Sequence, residues 1–188
     1  MVMRSLSFLV GSLVALVMAG GLANPVRAQA FGSSLPDLKV VPYVELNRYL
    51  GKWYEIASFP QSFQKGCTGV TAEYSLRSDG DIRVVNTCRL GSLDGKLKVA
   101  EGKAWVTDAT TNAKLRVQFF WPFSGKYWIV DLGENYEYAV VGHPNRDYLW
   151  ILSRTPQMDP AVYDRIVSRV RDLSFDTSRL VRTLQFSN

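Results

Sequence analysis

The feature that most constrains this chain is a series of short apolar/polar alternations, each closed by a turn signal, between residues 53 and 153. Val70, Ala72, Tyr74 and Leu76 alternate with Thr71, Glu73, Ser75 and Arg77, which is the period of two that a half-buried strand requires. Ser78-Asp79-Gly80 is a turn signal and residues 82–85 resume the pattern, so the two runs read as a hairpin. Further strands are expected at residues 53–59, 101–107, 114–119, 127–132, 136–142 and 148–153, with Gly, Asp, Asn or Pro in the breaks. Eight strands at this spacing fit a meander that closes as a sandwich or a barrel.

One helix is expected after them. Asp159 suits its cap and Pro160 its first position, while Val162, Ile166, Val170 and Leu173 repeat at helical spacing opposite Asp164, Arg165, Arg169 and Arg171. Its apolar side can pack against the outside of the sheet, and the apolar run 180–186 suggests a last short strand. No composition shift marks a second domain, so residues 31–188 read as one.

Residues 1–30 differ from the rest. Arg4 supplies a positive start, Leu6 to Ala19 are apolar, and Ala28-Gln29-Ala30 matches a small-residue cleavage site. This reads as a secretory signal, with the mature chain beginning near Phe31. The first cysteine is Cys67, so no cysteine stands at the cleavage point for lipid attachment, and a soluble periplasmic or secreted product without a stable membrane anchor is expected. Losing Arg4 and Arg27 lowers the net charge from +5 to +3. The remaining Lys and Arg residues are scattered among acids, as in Arg77-Ser-Asp-Gly-Asp-Ile-Arg83, which argues against nucleic acid as a partner.

An oxidising compartment makes a Cys67–Cys88 disulfide the expected use of the two cysteines. Pairing Leu76 with Ile82 puts Cys88 opposite Val70, about 10 Å along an ideal strand from Cys67. Bridging needs Cα atoms within about 7 Å, so the chain must bend near Gly66 or Gly69. Two cysteines and the lone His143 fall short of a structural zinc site, and no metal or cofactor is expected. Signatures of catalysis are also missing: there is no Gly-x-Ser-x-Gly elbow, and Gly91-Ser-Leu-Asp-Gly-Lys96 is one residue short of a phosphate-binding loop. His143, between Gly142 and Pro144, reads as a surface-turn residue.

Two stretches carry more information. Asn47-Arg-Tyr-Leu-Gly-Lys-Trp-Tyr-Glu-Ile-Ala57 and Tyr136-Glu-Tyr-Ala-Val-Val-Gly-His-Pro-Asn-Arg-Asp-Tyr-Leu-Trp-Ile-Leu-Ser-Arg-Thr155 resemble the lipocalin family. Gly51, Trp53 and Tyr54 match its Gly-x-Trp-Tyr signature, and Arg154 matches the arginine that packs across the signature tryptophan and closes the barrel floor. The look is that of the bacterial outer-membrane and apolipoprotein D-like group, over roughly residues 46–184. The resemblance implies an all-β fold: an eight-stranded antiparallel up-and-down barrel with the C-terminal helix outside. It also implies binding, storage or transport of a fatty acid, lysophospholipid or similar apolar ligand, not catalysis.

Alternation then assigns a pocket wall. If Val70, Ala72, Tyr74 and Leu76 face inward, so do Ile82 with Val84, Ala104 with Val106, Leu115 with Val117 and Phe119, Tyr138 with Val140, and Leu149 with Ile151. Such a wall is apolar with a few hydroxyls. Ala72, Tyr74, Leu76, Val84, Ala104, Val117, Phe119, Tyr138 and Val140 are therefore the candidate ligand contacts, and Phe59, Phe63, Phe120, Trp121 and Phe123 would rim the mouth. Two other readings stay open: an enzyme on an apolar substrate, with Glu55 or Asp131 as buried acid or base, and a ligand-free interaction module.

Overall fold

The computed structural model describes residues 35–187; the expected signal segment lies outside them. The strands are β1 (Gly51–Ser58), β2 (Cys67–Leu76), β3 (Ile82–Leu90), β4 (Leu97–Val106), β5 (Lys114–Phe120), β6 (Phe123–Leu132), β7 (Tyr138–Gly142), β8 (Leu149–Ser153) and β9 (Val181–Arg182). A short helix α1 (Leu46–Tyr49) precedes β1, and α2 (Pro160–Asp172) follows β8. Strands β1 to β8 pair antiparallel in chain order, and β1 pairs both β2 and β8. That double pairing closes the barrel.

All eight expected strands form, several of them longer than alternation alone indicates. β4 begins at Leu97, where Leu97, Lys98 and Val99 continue the ladder with β3 although all three are exposed. β6 begins at Phe123, because Trp121-Pro122 makes a two-residue turn and returns the aromatic run directly into pairing with Phe120.

The barrel closes unevenly. β1 pairs β2 over Gly51 to Tyr54 only; above that, the gap between them is filled from the C-terminus. β9 pairs Ala57 and Ser58 of β1, Gly69 N–H donates to Leu184 O at 2.7 Å, and Gln185 Nε2 bridges Glu55 O and Val70 O at 2.9 and 2.8 Å. A side-chain amide thus replaces ladder bonds where two strands diverge. The last apolar run of the sequence is accordingly part of the barrel wall.

The helix forms as the spacing predicts. Asp159 accepts hydrogen bonds from the N–H groups of Ala161 and Val162, and Ile166 and Val170 are buried. Its apolar stripe covers the outer faces of β7 and β8, creating a second apolar cluster with Val140, Leu149, Ile151 and Phe175. Arg169 on its polar side donates to both carboxylate oxygens of Asp131 on β6, at 3.0 and 3.2 Å.

Cys67 and Cys88 are disulfide-bonded with Cα atoms 5.4 Å apart. Leu76 pairs Ile82, and the register shifts between Thr71 and Thr68, where Gly69 takes φ +55° and Gly66, just before the strand, takes +75°. The extra residue in β2 shortens the diagonal between the cysteines, as a bulge does. Replacing both cysteines by serine is expected to lower unfolding free energy by about 3 kcal/mol on the chain-entropy account, read as a lower denaturant midpoint with an otherwise native far-UV spectrum.

Candidate ligand-binding site

The closed end is built around Trp53, which is fully buried. Its indole Nε1 donates to Tyr49 O at 2.9 Å, locking β1 to α1. The Arg154 guanidinium lies 3.7 Å from the indole ring centroid. From there Nε donates to Tyr136 O at 3.2 Å, Nη1 to Lys52 O at 3.0 Å, and Nη2 to Arg48 O and Tyr49 O at 2.6 and 3.3 Å. One planar cation therefore satisfies the carbonyls that α1 and the turn before β7 leave open. Gly51 takes φ +91°, a backbone conformation that side-chain-bearing residues rarely adopt, and a Cβ there would stand at ordinary contact distance, 3.5 Å, from Nη1.

Three tyrosines cluster beside the tryptophan, the Tyr49 ring 5.1 Å from Trp53 and 5.6 Å from Tyr74. Tyr49 and Tyr127 hydroxyls are 2.7 Å apart and those of Tyr74 and Tyr127 are 2.9 Å apart. Burial pushes the Tyr74 phenol up to about 12 and those of Tyr49 and Tyr127 well above their ordinary value, so all three stay neutral. A cavity of about 10 Å³ lies between this triad and Ile82, Ala104, Leu115 and Val117. That is room for about one water molecule. The barrel around the triad is therefore filled by side chains.

The upper wall carries small residues and two polar groups. Ala72, Asn86 and Ala100 align across β2, β3 and β4. Phe119 lies over Gly102, where a Cβ would meet its ring at 2.8 Å and the Gln118 carbonyl at 2.4 Å. The Asn86 amide oxygen is shut off from solvent and accepts no hydrogen bond from the described residues. On β1, Glu55 is 4% exposed and accepts from Ser58 Oγ at 3.1 Å, Gln64 Nε2 at 2.5 Å and Thr183 Oγ1 at 2.5 Å. No cation pairs with it among the described residues. Desolvation raises its proton affinity, against the opposing effect of the three hydrogen bonds.

The sequence-derived wall divides into two sets. Tyr74, Val84 and Ala104 are buried in the inner cluster, with Ala72, Val117 and Phe119 packed against it. Leu76 does not join them: it ends β2 beside the turn and is 62% exposed. Tyr138 and Val140, with Leu149 and Ile151, face the helix instead of the lumen. Their neighbours Ala139, Val141 and Leu152 are the inner residues. Because α2 covers this side, β7 and β8 are apolar on both faces, and a continuous apolar run carries no phase. Asp131 likewise points outward, to Arg169 and the Tyr138 hydroxyl, and so is not a barrel acid. At the rim, Phe63, Phe120, Trp121 and Phe123 are exposed, whereas Phe59 is buried edge-on against Phe175 beneath Arg179. Tyr49, Tyr127 and Asn86 were not legible as lumen groups. Tyr127 sits among aromatic residues on both faces of β6, and the phase of Asn86 emerges only by extending the β3 alternation from Val84.

A lipocalin-like domain model matches residues 44–185. The chain belongs to the lipocalin-like family. It is 45% identical over 150 residues to the outer membrane lipoprotein Blc of Vibrio cholerae serotype O1, covering 79% of this chain and 87% of that protein. It is 38% identical over 150 residues to bovine (Bos taurus) apolipoprotein D, covering 74% and 77%. Among solved structures, insecticyanin of the tobacco hornworm Manduca sexta superposes with a TM-score of 0.65 at 21% identity, over 82% of this chain and 87% of that one, which supports the fold. In this lipocalin the signature residues Gly51, Trp53 and Arg154 meet as the motif implies.

Arg154→Ala is expected to lower unfolding free energy by about 3 kcal/mol, because it removes the stack and strands several carbonyls. Arg154→Lys should recover less than half of this, since an ammonium cannot reproduce the planar fork; chemical denaturation of the three proteins checks it. Glu55 gives a pH test. Its folded proton affinity exceeds the ordinary value of 4.5, so its contribution is fully present below that value and is lost as pH rises through the folded pKa. Stability of the native protein should fall relative to Glu55→Gln as pH rises from about 4.5 to neutrality, measured as the difference in melting temperature across that range.

Proposed function

We propose that the barrel binds, stores or carries a single-chain lipid such as a fatty acid or lysophospholipid, without transforming it. The family is known for binding small hydrophobic ligands. The observation that carries the finer reading is the upper wall: small apolar positions at Ala72, Ala100 and Gly102, with an unpaired acceptor at Asn86. A dry structural core has no use for such an acceptor, because leaving one buried and unpaired costs about 1 to 3 kcal/mol. A ligand hydroxyl, or an amine or amide N–H, would supply its donor. Tyr74 and its two tyrosine partners would mark how deep the chain reaches.

An exported mature chain is part of the same proposal. A disulfide fits an oxidising compartment, and Blc is named for the outer membrane. We therefore place the mature chain, from about Phe31, in the periplasm or outside the cell.

Glu55 keeps one feature of the enzyme reading, a buried carboxyl with raised proton affinity. Its oxygens are occupied by Ser58, Gln64 and Thr183, which makes it a pin for the mouth turn and the C-terminal segment.

Burying about ten methylenes at about 0.8 kcal/mol each gives about 8 kcal/mol before association costs of several kcal/mol. Micromolar affinity for fatty acids or lysolipids is thus expected, read by displacement of a fluorescent fatty acid. Asn86→Leu should weaken hydroxyl-bearing ligands, such as monoacylglycerols, about tenfold more than the matching methyl esters. Absence of binding by every one of these lipids would overturn the proposal, and turnover of any of them would return weight to Glu55.

A further inference from the structure

The aromatic rim is more than a lumen entrance. Phe120, Trp121 and Phe123 are 77%, 86% and 77% exposed at the tip of the β5–β6 hairpin, and Phe63 in the neighbouring β1–β2 connection is 60% exposed. Soluble surfaces seldom gather large apolar side chains in this way without a use. The up-and-down topology puts the β1–β2, β3–β4 and β5–β6 connections at the same end.

The charge around this tip is predominantly basic, with Asp147 beside Arg146 in the β7–β8 connection at the same end. Residues 59–69, 88–100 and 116–126 hold six Lys or Arg and one acid, Asp94. Among the described residues no ion pair neutralises Lys65, Lys96, Lys98 or Lys126. Lys98 Nζ donates to Phe63 O at 3.0 Å, and Arg116 Nε to Ser124 Oγ at 2.9 Å, so cations are fixed close behind the aromatic residues. Aromatic side chains in front of a basic collar are what the interface of an anionic bilayer selects: rings settle at headgroup level and cations meet the phosphates.

We propose that the barrel docks mouth-first on anionic phospholipid bilayers, with Phe120, Trp121 and Phe123 inserted and Lys65, Lys96, Lys98 and Lys126 against the headgroups. The contact is reversible and does not depend on a covalent anchor. It concerns the outer rim and stands apart from what the lumen holds. A lipid leaving the bilayer would then enter the lumen without crossing water.

The test is flotation of the mature chain with vesicles of phosphatidylcholine alone and of an equal mixture with phosphatidylglycerol. The native chain should float with the mixed vesicles, less so at high salt, and much less with phosphatidylcholine. Trp121→Ser/Phe123→Ser should lower the partition coefficient about tenfold or more, with melting temperature and far-UV spectrum showing that the barrel is intact. Lys126→Glu should lower it about fivefold or more. Arg77→Glu makes the same charge change at the opposite end and should leave it unchanged. The proposal is overturned if the native chain ignores the mixed vesicles, if the Trp121/Phe123 variant floats as well as the native chain, or if Arg77→Glu weakens flotation as much as Lys126→Glu.

Discussion

The structure depends on joining its first strand to its last, and the contact that fixes the join is Arg154 on Trp53. β1 and β8 lie about a hundred residues apart, and their pairing is the seam of the barrel. Arg154, the residue after β8, lays its guanidinium on the indole of β1 and ties Arg48, Tyr49, Lys52 and Tyr136 by their carbonyls. A seam held by ladder bonds alone would leave its lower edge free to fray. Here the edge is capped by a cation whose fork matches several acceptors at once.

That cap also sets what the interior can hold. Trp53 and the tyrosine triad fill the lower barrel, so depth is fixed by hydroxyls that stay neutral, and a ligand would meet phenol groups and not a charge at its far end. Two further polar groups flank β2: the unpaired Asn86 on β3, and Glu55 on β1, whose oxygens are taken by Ser58, Gln64 and Thr183.

Much of this was legible in the sequence where one face of a strand meets solvent. β2 and β3 alternate cleanly, so the inward places of Tyr74 and Val84 and the bend needed by the disulfide followed from counting residues. The alternation is lost where solvent is excluded from both faces. On β7 and β8 the helix removes the polar half of the alternation, and Tyr138, Val140, Leu149 and Ile151 took the wrong side for that reason. Phe59 failed for a related one, since its aromatic neighbour Phe175 comes from the far end of the chain. Leu76 failed as an end effect: its phase is right, but the strand ends there, at the exposed turn.

The C-terminal segment between β1 and β2 has a consequence for how the molecule is made. Thr183 binds Glu55 across 128 residues, so the upper wall stays open until the segment 181–185 has been delivered. Contacts of that span form late and slowly. Until they do, β2 presents an unpaired edge beside β1, the kind of surface that recruits other strands. A chain cut before Val181 would keep its floor, its helix and its disulfide, yet lack the segment that fills the gap between β1 and β2.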